Sequence, residues 1–295
     1  MRQYGKMDAY KIITKDLAKS IMPNRKENSN KGTYGKILNF SGCKEYTGAS
    51  YLSSISPLKT GAGLVELAAP DYVREKTACL CPDIVFYDTE SKYYLSKLPK
   101  SIDYGQYSAI IAGCGLGNNE HTQKFIKEFL EFAQNANIPI IYDADALNII
   151  SETNTTNLGK KAIITPHPGE MARLMQTDIA DIQSSREQWA VKACQKYNAV
   201  TVLKGHNTVI ATPGGNLYVE KTASNVLAKA GTGDVLTGII AGYLAQGLTP
   251  EPAAVLGVYV HAQAGRHAEK ITTSYGLLAS ELVNFIPDGI KAVID

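Results

Sequence analysis

The sequence lacks a strong charge bias, a long apolar segment and a regular cysteine pattern. Its 30 basic and 28 acidic residues leave a net charge of +2, without the basic surface that nucleic-acid phosphates require. It has neither the ~18 uncharged apolar residues of a membrane span nor the apolar core of a signal peptide. The five cysteines are odd in number and scattered, which indicates reduced thiols. We therefore expect a cytoplasmic protein with no nucleic-acid or membrane partner.

What the sequence does contain is a regular alternation of short apolar runs and helical stretches. Runs such as "GKILNFSG", "LVELAAP", "SAIIAGCGLG", "IPIIYDADA" and "AVTVLKG" each end at Gly, Asp or Pro. Continuous apolar strands are typical of a parallel sheet that is covered on both faces. We predict one doubly wound α/β domain over residues 1–295, with a mostly parallel central sheet and helices on both faces. Residues 1–30 form a lead-in helix and loop, and residues 207–220 form an appended β-hairpin.

Ligands of open α/β sheets bind outside the carboxyl ends of the strands, so we expect functional side chains at the strand ends. The segment "AGTGD" precedes a long apolar run, and its glycines leave the backbone of Gly231, Thr232 and Gly233 open. Their amides, at the positive end of a helix dipole, would form an anion hole. Asp234 is then either the helix N-cap or a base that deprotonates a hydroxyl attacking a phosphate. With an unperturbed pKa of about 3.9, it would be ionised at neutral pH.

Four further strand ends carry polar or flexible residues, and each has a structural alternative. "GCGLG" either cradles a ligand or is a plain turn. Asp143 and Asp145 in "DADALN" either approach Mg²⁺ bound to phosphates or cap a helix. His167 in "TPHPGE" is held between two prolines and either faces a ligand or is structural. "KGHNT" (204–208) either holds a nucleotide or is a β-turn.

Taken in order, these segments resemble the ADP/ATP-dependent NAD(P)H-hydrate dehydratases, a branch of the ribokinase-like fold. The likeness runs from about residue 10 to the C-terminus, and "TPHPGEMARL" together with "GTGDVLTGIIAGYLAQG" is specific to that family. The resemblance implies an enzyme that repairs hydrated NADH or NADPH (NADHX or NADPHX) with ADP or ATP and Mg²⁺. The substrate hydroxyl is phosphorylated and phosphate then leaves, which yields AMP and phosphate when ADP is used.

The resemblance also assigns roles to individual residues. Asp234 would be the catalytic base. The hydrated cofactor would contact Ala49, Gly117, His167 and Asp234. The nucleotide would contact Lys204, Gly205, His206, Asn207, Thr208 and Gly233. Relatives further imply a homotetramer, and the absence of a fused epimerase domain implies that this activity resides in a separate protein.

A ribokinase-like kinase of a small vitamin-precursor alcohol is the main alternative. Such a kinase would share Asp234 and the neighbouring glycines but not "TPHPGEMARL". A nucleotide-binding protein without catalysis is disfavoured, because a pure binder gains nothing from a carboxylate beside phosphate.

Overall fold

The computed structural model describes residues 10–295. Its strands form one ten-stranded sheet. They are Lys11–Ile12 (β1), Lys36–Phe40 (β2), Leu64–Ala69 (β3), Val85–Asp88 (β4), Ala109–Ala112 (β5), Ile140–Tyr142 (β6), Ala162–Ile164 (β7), Val200–Leu203 (β8), Thr208–Ala211 (β9) and Leu217–Glu220 (β10).

The helices of the described residues lie between and after these strands. They are Lys15–Ile21 (α1), Thr47–Thr60 (α2), Asp71–Leu80 (α3), Glu120–Asn135 (α4), Asp145–Ser151 (α5), Pro168–Met175 (α6), Ile179–Ser184 (α7), Arg186–Tyr197 (α8), Thr232–Ala245 (α9), Pro250–Thr272 (α10), Ala279–Leu282 (α11) and Ile286–Ile294 (α12). None of these helices has the length and apolar character that crossing a membrane requires.

The sheet has the strand order β1-β10-β9-β8-β7-β6-β5-β2-β3-β4. The strands from β8 through β7, β6, β5, β2 and β3 to β4 pair in parallel, whereas β9 pairs antiparallel with both β8 and β10. The predicted parallel sheet and appended hairpin are therefore confirmed. The hairpin turns at residues 212–216, where the sequence has Pro, two Gly and Asn.

Two hydrophobic cores cover the two faces of the sheet. Successive strand residues alternate between them, so that Ile37 and Ile111 face one core while Leu38 and Ile110 face the other. The first core contains α2, α9, α10 and α12, and the second contains α4, α5, α6 and α8. Burial of apolar side chains on both faces explains why the strands read as continuous apolar runs. All five cysteines lie in this described part of the chain and none forms a disulfide.

Two local features differ from the predictions. The stretch "DIQSSREQWAVKACQKYN" reads in the sequence as one helical stretch, but it contains the end of α7 and all of α8, which are separated at Ser185. The helix is interrupted because Ser185, with φ of −151° and ψ of 56°, departs from helical backbone geometry. The edge strands β1 and β4 were not predicted, since they are short or partly exposed and lack a buried apolar run. The predicted lead-in helix is α1, and residues 1–9 lie outside the described residues.

Helix α9 carries the "GTGD" segment and is packed tightly against α2. A Cβ at Gly238 would lie 2.6 Å from Ser56 Cβ, and a Cβ at Gly242 would lie 2.7 Å from Thr60 Cβ. Glycines at these positions let the two helix backbones approach closely. Every residue of α9 from Val235 to Ala245 is buried, so the helix holds its N-terminus in a fixed position beneath the sheet edge.

Candidate active site

The crevice lies where the sheet changes its winding direction. Strand β2 pairs with both β3 and β5, so the chain places β3 on one side of β2 and later returns to place β5 on the other side. The loops after β2 and β5 meet there, with the Gly42 amide donating to the Cys114 carbonyl over 2.8 Å. Such a switch point is where open α/β sheets bind ligands. The polar strand ends singled out from the sequence are brought to this edge.

Asp234 is not the N-cap of its helix. The cap is Gly231, with φ of +91° and no capping side chain, and Asp234 lies in the first turn. A Cβ at residue 231 would lie 2.7 Å from Leu52 Cδ1, so glycine is required by both backbone and space. Among the described residues, the Asp234 carboxylate lies with Cys114 and Asp143 in a group whose ligand atoms are within 4.8 Å of one another.

The environment of Asp234 changes its acidity. Burial raises its pKa to about 7, and the negative charge of Asp143 acts in the same direction. The Cys114 thiol and the Lys204 ammonium oppose this rise without cancelling it. The sequence-based value for an unperturbed Asp was therefore wrong. A carboxylate poised near neutral pH accepts a proton more effectively than one of pKa near 4.

Asp143 forms the buried centre of the site. Its carboxylate accepts hydrogen bonds from Lys204 Nζ and from Thr237 Oγ1, each over 2.7 Å. Burial alone would raise the pKa of Asp143, but the Lys204 charge and the hydrogen bonds from Lys204, Thr237 and Thr165 outweigh burial and lower that pKa. Burial would likewise lower the pKa of Lys204, but Asp143 and Glu170 outweigh it and raise that pKa. Both members of this pair are therefore charged.

The suggestion that Asp143 and Asp145 hold a metal is not matched by the side-chain contacts. Asp143 is occupied by Lys204 and Thr237, while Asp145 Oδ2 accepts from the Gly117 amide over 2.8 Å. The group that could offer ligands consists of Cys114, Asp143 and Asp234. The ammonium beside Asp143 and a thiol whose pKa burial raises well above its ordinary value do not suit Mg²⁺, which takes oxygen ligands.

The backbone at the start of α9 provides free donors. Among residues 10–295, no acceptor faces the amides of Gly233 and Asp234, whereas Val235 begins the helical pattern by donating to the Gly231 carbonyl over 3.1 Å. The predicted anion hole is corrected at Thr232, whose amide donates to the Lys229 carbonyl over 3.4 Å. Its hydroxyl also bonds to the Leu227 and Lys229 carbonyls. Lys204 adds positive charge here, since its Nζ is 3.3 Å from where a Cβ of Gly233 would lie.

His167 makes structural contacts, and its imidazole ring is half-exposed. Its Nδ1 accepts from the amides of Gly169 and Glu170 over 3.0 and 3.4 Å, and Glu170 accepts in return from the His167 amide over 2.7 Å. This capping box fixes the start of α6. Burial, with the nearby charges of Lys204 and Arg173, lowers the pKa of His167, so the ring is neutral. The side chain is still 50% exposed and can meet a ligand.

A cleft of about 270 Å³ extends from the start of α9 along the loop after β8. Of the residues predicted to bind a nucleotide, those lining it are Lys204, Gly205, His206, Thr208 and Gly233. Asn207 is not among the lining residues. It has φ of +58° and so shapes the turn between β8 and β9. The cleft is also lined by Ala223, Ser224, Asn225, Leu227, Ala228, Val258, His261 and Ala262.

The two small residues predicted to contact the hydrated cofactor lie near the loop after β5. Ala49 is at the start of α2, and its Cβ lies 2.6 Å from where a Cβ of Gly115 would be. Gly117 has φ of +74° and is held by Asp145. Both positions belong to the edge that carries Cys114. Neither of them lines the cleft that Lys204 and Gly233 line.

Sequence reasoning missed several residues of this site. Thr237 lies three residues after Asp234, about one helical turn, so the spacing could have indicated that the two side chains lie on the same face of α9. Glu170 stands three residues after His167, the spacing of a capping box. Cys114 and His261 gave no signal of their own, because only the fold brings them to the start of α9.

Comparison with known proteins agrees with this architecture. A model of the NAD(P)H-hydrate dehydratase family matches residues 37–288. A bifunctional NAD(P)H-hydrate repair enzyme of Moorella thermoacetica is 37% identical over 286 residues, which are 94% of this chain and 53% of that enzyme. The chain spans about half the length of this and similar curated relatives.

Solved structures show the same fold. The ADP/ATP-dependent NAD(P)H-hydrate dehydratase of Bacillus subtilis, co-crystallised with ATP and Mg²⁺, matches with a TM-score of 0.82 at 28% identity, over 96% of this chain and 99% of that one. A ribokinase-like superfamily protein of Enterococcus faecalis matches with a TM-score of 0.84 at 25% identity, over the full length of both. The fold and its crevice thus define a ribokinase-like α/β protein. The family model covers most of its length, and the chain belongs to the NAD(P)H-hydrate dehydratase family.

Proposed function

We propose that this chain dehydrates NADHX and NADPHX to NADH and NADPH, with ADP or ATP as phosphoryl donor and Mg²⁺ as the accompanying ion. The observation that carries the proposal is the position of Asp234. Its carboxylate, with a pKa of about 7, makes no cap to its own helix and stands beside the unpaired amides of Gly233 and Asp234. A base next to an anion site suits phosphorylation of a hydroxyl group.

In the proposed reaction Asp234 takes the proton of the substrate hydroxyl. The hydroxyl oxygen bonds to the terminal phosphorus as the bond to the leaving nucleotide breaks, so ADP leaves as AMP. The phosphorylated intermediate then loses phosphate, together with a proton from the neighbouring carbon, and the ring double bond returns. Phosphorylation is useful because phosphate is a better leaving group than hydroxide.

The nucleotide and the hydrated cofactor would bind to different residues of the site. Lys204, Gly205, His206, Thr208 and Gly233 would hold the nucleotide, because they line the cleft that reaches the start of α9. Ala49, Gly117 and His167 would contact the hydrated cofactor. Lys204 and the amides of Gly233 and Asp234 would stabilise charge on the transferred phosphoryl group.

Mg²⁺ would be held chiefly by phosphate oxygens and water, since the buried carboxylates of the site already have protein partners. When bound, the ion would neutralise phosphate charge. The family member from Bacillus subtilis was crystallised with ATP and Mg²⁺, which supports this part of the proposal.

The remaining parts of the proposal concern organisation. One continuous sheet from β1 to β4 supports a single domain. We further propose a homotetramer in the cytoplasm, and the exposed Ile271, Tyr275 and Leu278 offer apolar surface for subunit contact. Light scattering after size exclusion tests the assembly, and a monomer at micromolar concentration would contradict it.

One assay tests the proposed activity. The protein is incubated with NADHX, Mg²⁺ and either ADP or ATP, and regenerated NADH is followed by its absorbance. We expect regeneration that depends on the nucleotide. A mixture without nucleotide and one with the Asp234→Asn variant are the controls. Absence of regeneration with both nucleotides, together with phosphorylation of a pyrimidine or thiazole alcohol, would favour a vitamin-precursor kinase instead.

A further inference from the structure

His261 is a buried polar side chain that the proposed reaction does not use. It lies in the middle of α10, and its immediate neighbours Val260 and Ala262 are buried and apolar. Burial lowers its pKa to about 4, so the imidazole is neutral at physiological pH. A neutral, buried histidine costs free energy unless its ring nitrogens find partners. The identity of its partner therefore indicates what the residue does.

The partner of His261 is the backbone at the start of α9. Its Nε2 lies 3.0 Å from the Thr232 carbonyl oxygen. Because a carbonyl only accepts, the proton is on Nε2, and the imidazole donates. The same side chain lines the cleft assigned to the nucleotide, together with Thr232 and Gly233. Helix α10 is thus tied to the first residue of α9 at the wall of the cleft.

The Thr232 carbonyl belongs to the same peptide group as the Gly233 amide. In a trans peptide, C=O and N–H point in opposite directions. A donor that fixes the carbonyl on one side therefore fixes the direction of the N–H on the other side. The Gly233 N–H has no acceptor within residues 10–295, and Lys204 Nζ lies 3.3 Å from where a Cβ of Gly233 would be. A hydrogen bond to the carbonyl also polarises the peptide and strengthens its N–H as a donor.

Other contacts hold the same peptide from different directions. The Thr232 hydroxyl bonds to the Leu227 and Lys229 carbonyls, and the Thr232 amide bonds to Lys229. These contacts fix the side chain and the preceding peptide, and none of them reaches the Thr232 carbonyl oxygen. Only the bond from His261 acts on that oxygen from outside α9 among the contacts of the described residues.

We propose that His261 is a positioning residue, which aims the Gly233 amide at the terminal phosphate of the nucleotide by holding the Thr232 carbonyl. This inference rests on the proposed function, since it assumes a nucleotide in the cleft. It predicts a selective effect. Loss of the bond weakens binding of the phosphates and leaves binding of the nucleoside unchanged.

The test compares two variants of similar size. His261→Leu fills the space without a donor, whereas His261→Gln keeps an N–H at a similar reach. Calorimetry measures binding of ADP with Mg²⁺, and of adenosine alone, to each protein. We expect His261→Leu to weaken ADP binding about tenfold with adenosine binding unchanged, and His261→Gln to stay within about threefold of the unaltered protein.

The outcomes distinguish failure of this inference from failure of the proposed function on which it rests. ADP binding that His261→Leu leaves unchanged overturns the role of His261 and leaves the proposed function intact. Equal loss of ADP and adenosine binding also overturns it, since that result indicates general damage to the cleft. Failure of the unaltered protein to bind ADP contradicts both. If His261→Leu does not fold, ¹⁵N NMR of the unaltered protein decides, and a proton on Nδ1 instead of Nε2 overturns the inference.

Discussion

The ammonium of Lys204 lies 2.7 Å from the carboxylate of Asp143, and Asp143 is almost completely buried at 1% side-chain exposure. This ion pair joins the loop after β8 to the loop after β6. It also places positive charge beside Gly233 and negative charge beside Asp234. This buried contact therefore supplies positive charge to the anion site, and its Asp143 adds to the rise in the pKa of Asp234 that burial mainly causes.

The first prediction concerns the stability that this pair provides. Lys204→Met leaves the Asp143 carboxylate buried without its cation, which we expect to lower the free energy of unfolding by about 3 kcal/mol. Adding Asp143→Asn should restore most of this loss, because no unpaired charge remains. Urea unfolding of the single and double variants measures both values. The interpretation is wrong if the double variant is as unstable as Lys204→Met.

The second prediction concerns the base. Asp234→Asn should reduce kcat by about 10² to 10⁴-fold, the usual contribution of a positioned base. Nucleotide affinity should stay equal or improve, because a negative charge beside phosphate is removed. Turnover is measured as NADH regeneration and affinity by calorimetry with ADP. Near-normal turnover in this variant would exclude Asp234 as the proton acceptor.

The sequence predicted the sheet and the position of the site because both depend on local pattern. Apolar runs such as "AIIA" and "VTVL" are short, buried and closed by Gly or Lys, and each became a strand. The residues at their carboxyl ends, including Asp143 and Lys204, then meet at one edge by the geometry of parallel strands.

What the sequence did not predict depends on contacts between distant segments. The Asp143–Lys204 bond joins residues 61 positions apart, and the Asp143–Thr237 bond joins residues 94 apart. The pKa of Asp234 depends on burial and on Asp143, neither of which can be inferred from the "GTGD" pattern. For the same reason the sequence left Asp143 open between a metal site and a helix cap and did not indicate its pairing with Lys204.

The third prediction is the pH dependence of activity. Asp234 must be deprotonated to accept a proton, and its pKa is raised to about 7. We therefore expect kcat/KM to fall about tenfold per unit as the pH drops below this value, and to level off above it. Burial also raises the pKa of Glu170 to about 7, so Glu170→Gln is the control. The fall in kcat/KM at low pH should persist in that variant. If the fall disappears, it is caused by protonation of Glu170 instead of Asp234.

The fourth prediction separates the two roles of His167. Asn can replace the imidazole as an N-cap, whereas Ala cannot, so His167→Ala should cost about 1 kcal/mol of stability and His167→Asn much less. If the open face of the ring meets the hydrated cofactor, both variants raise KM for NADHX. Thermal unfolding and steady-state kinetics give the two readouts. An unchanged KM in the stable Asn variant would leave His167 with the capping role alone.

The fifth prediction contrasts the two glycines before Asp234. Gly233 is in the first turn of α9, and a Cβ there meets only the flexible end of Lys204, at 3.3 Å. Gly233→Ala should therefore keep or slightly raise stability, since Ala favours a helix by about 1 kcal/mol over Gly. It should weaken ADP binding, because the methyl group fills the space beside the free amides.

Gly231→Ala is the matched variant with the opposite expectation. Its φ of +91° disfavours a side chain, and the new Cβ would lie 2.7 Å from Leu52 Cδ1 and 2.9 Å from Ala279 Cβ. Stability should fall by about 2 kcal/mol or more from strain and overpacking. Urea unfolding and ADP calorimetry on both variants check the contrast. ADP binding that is unchanged in a well-folded Gly233→Ala protein would show that phosphate does not approach the start of α9, and the anion site would have to lie elsewhere.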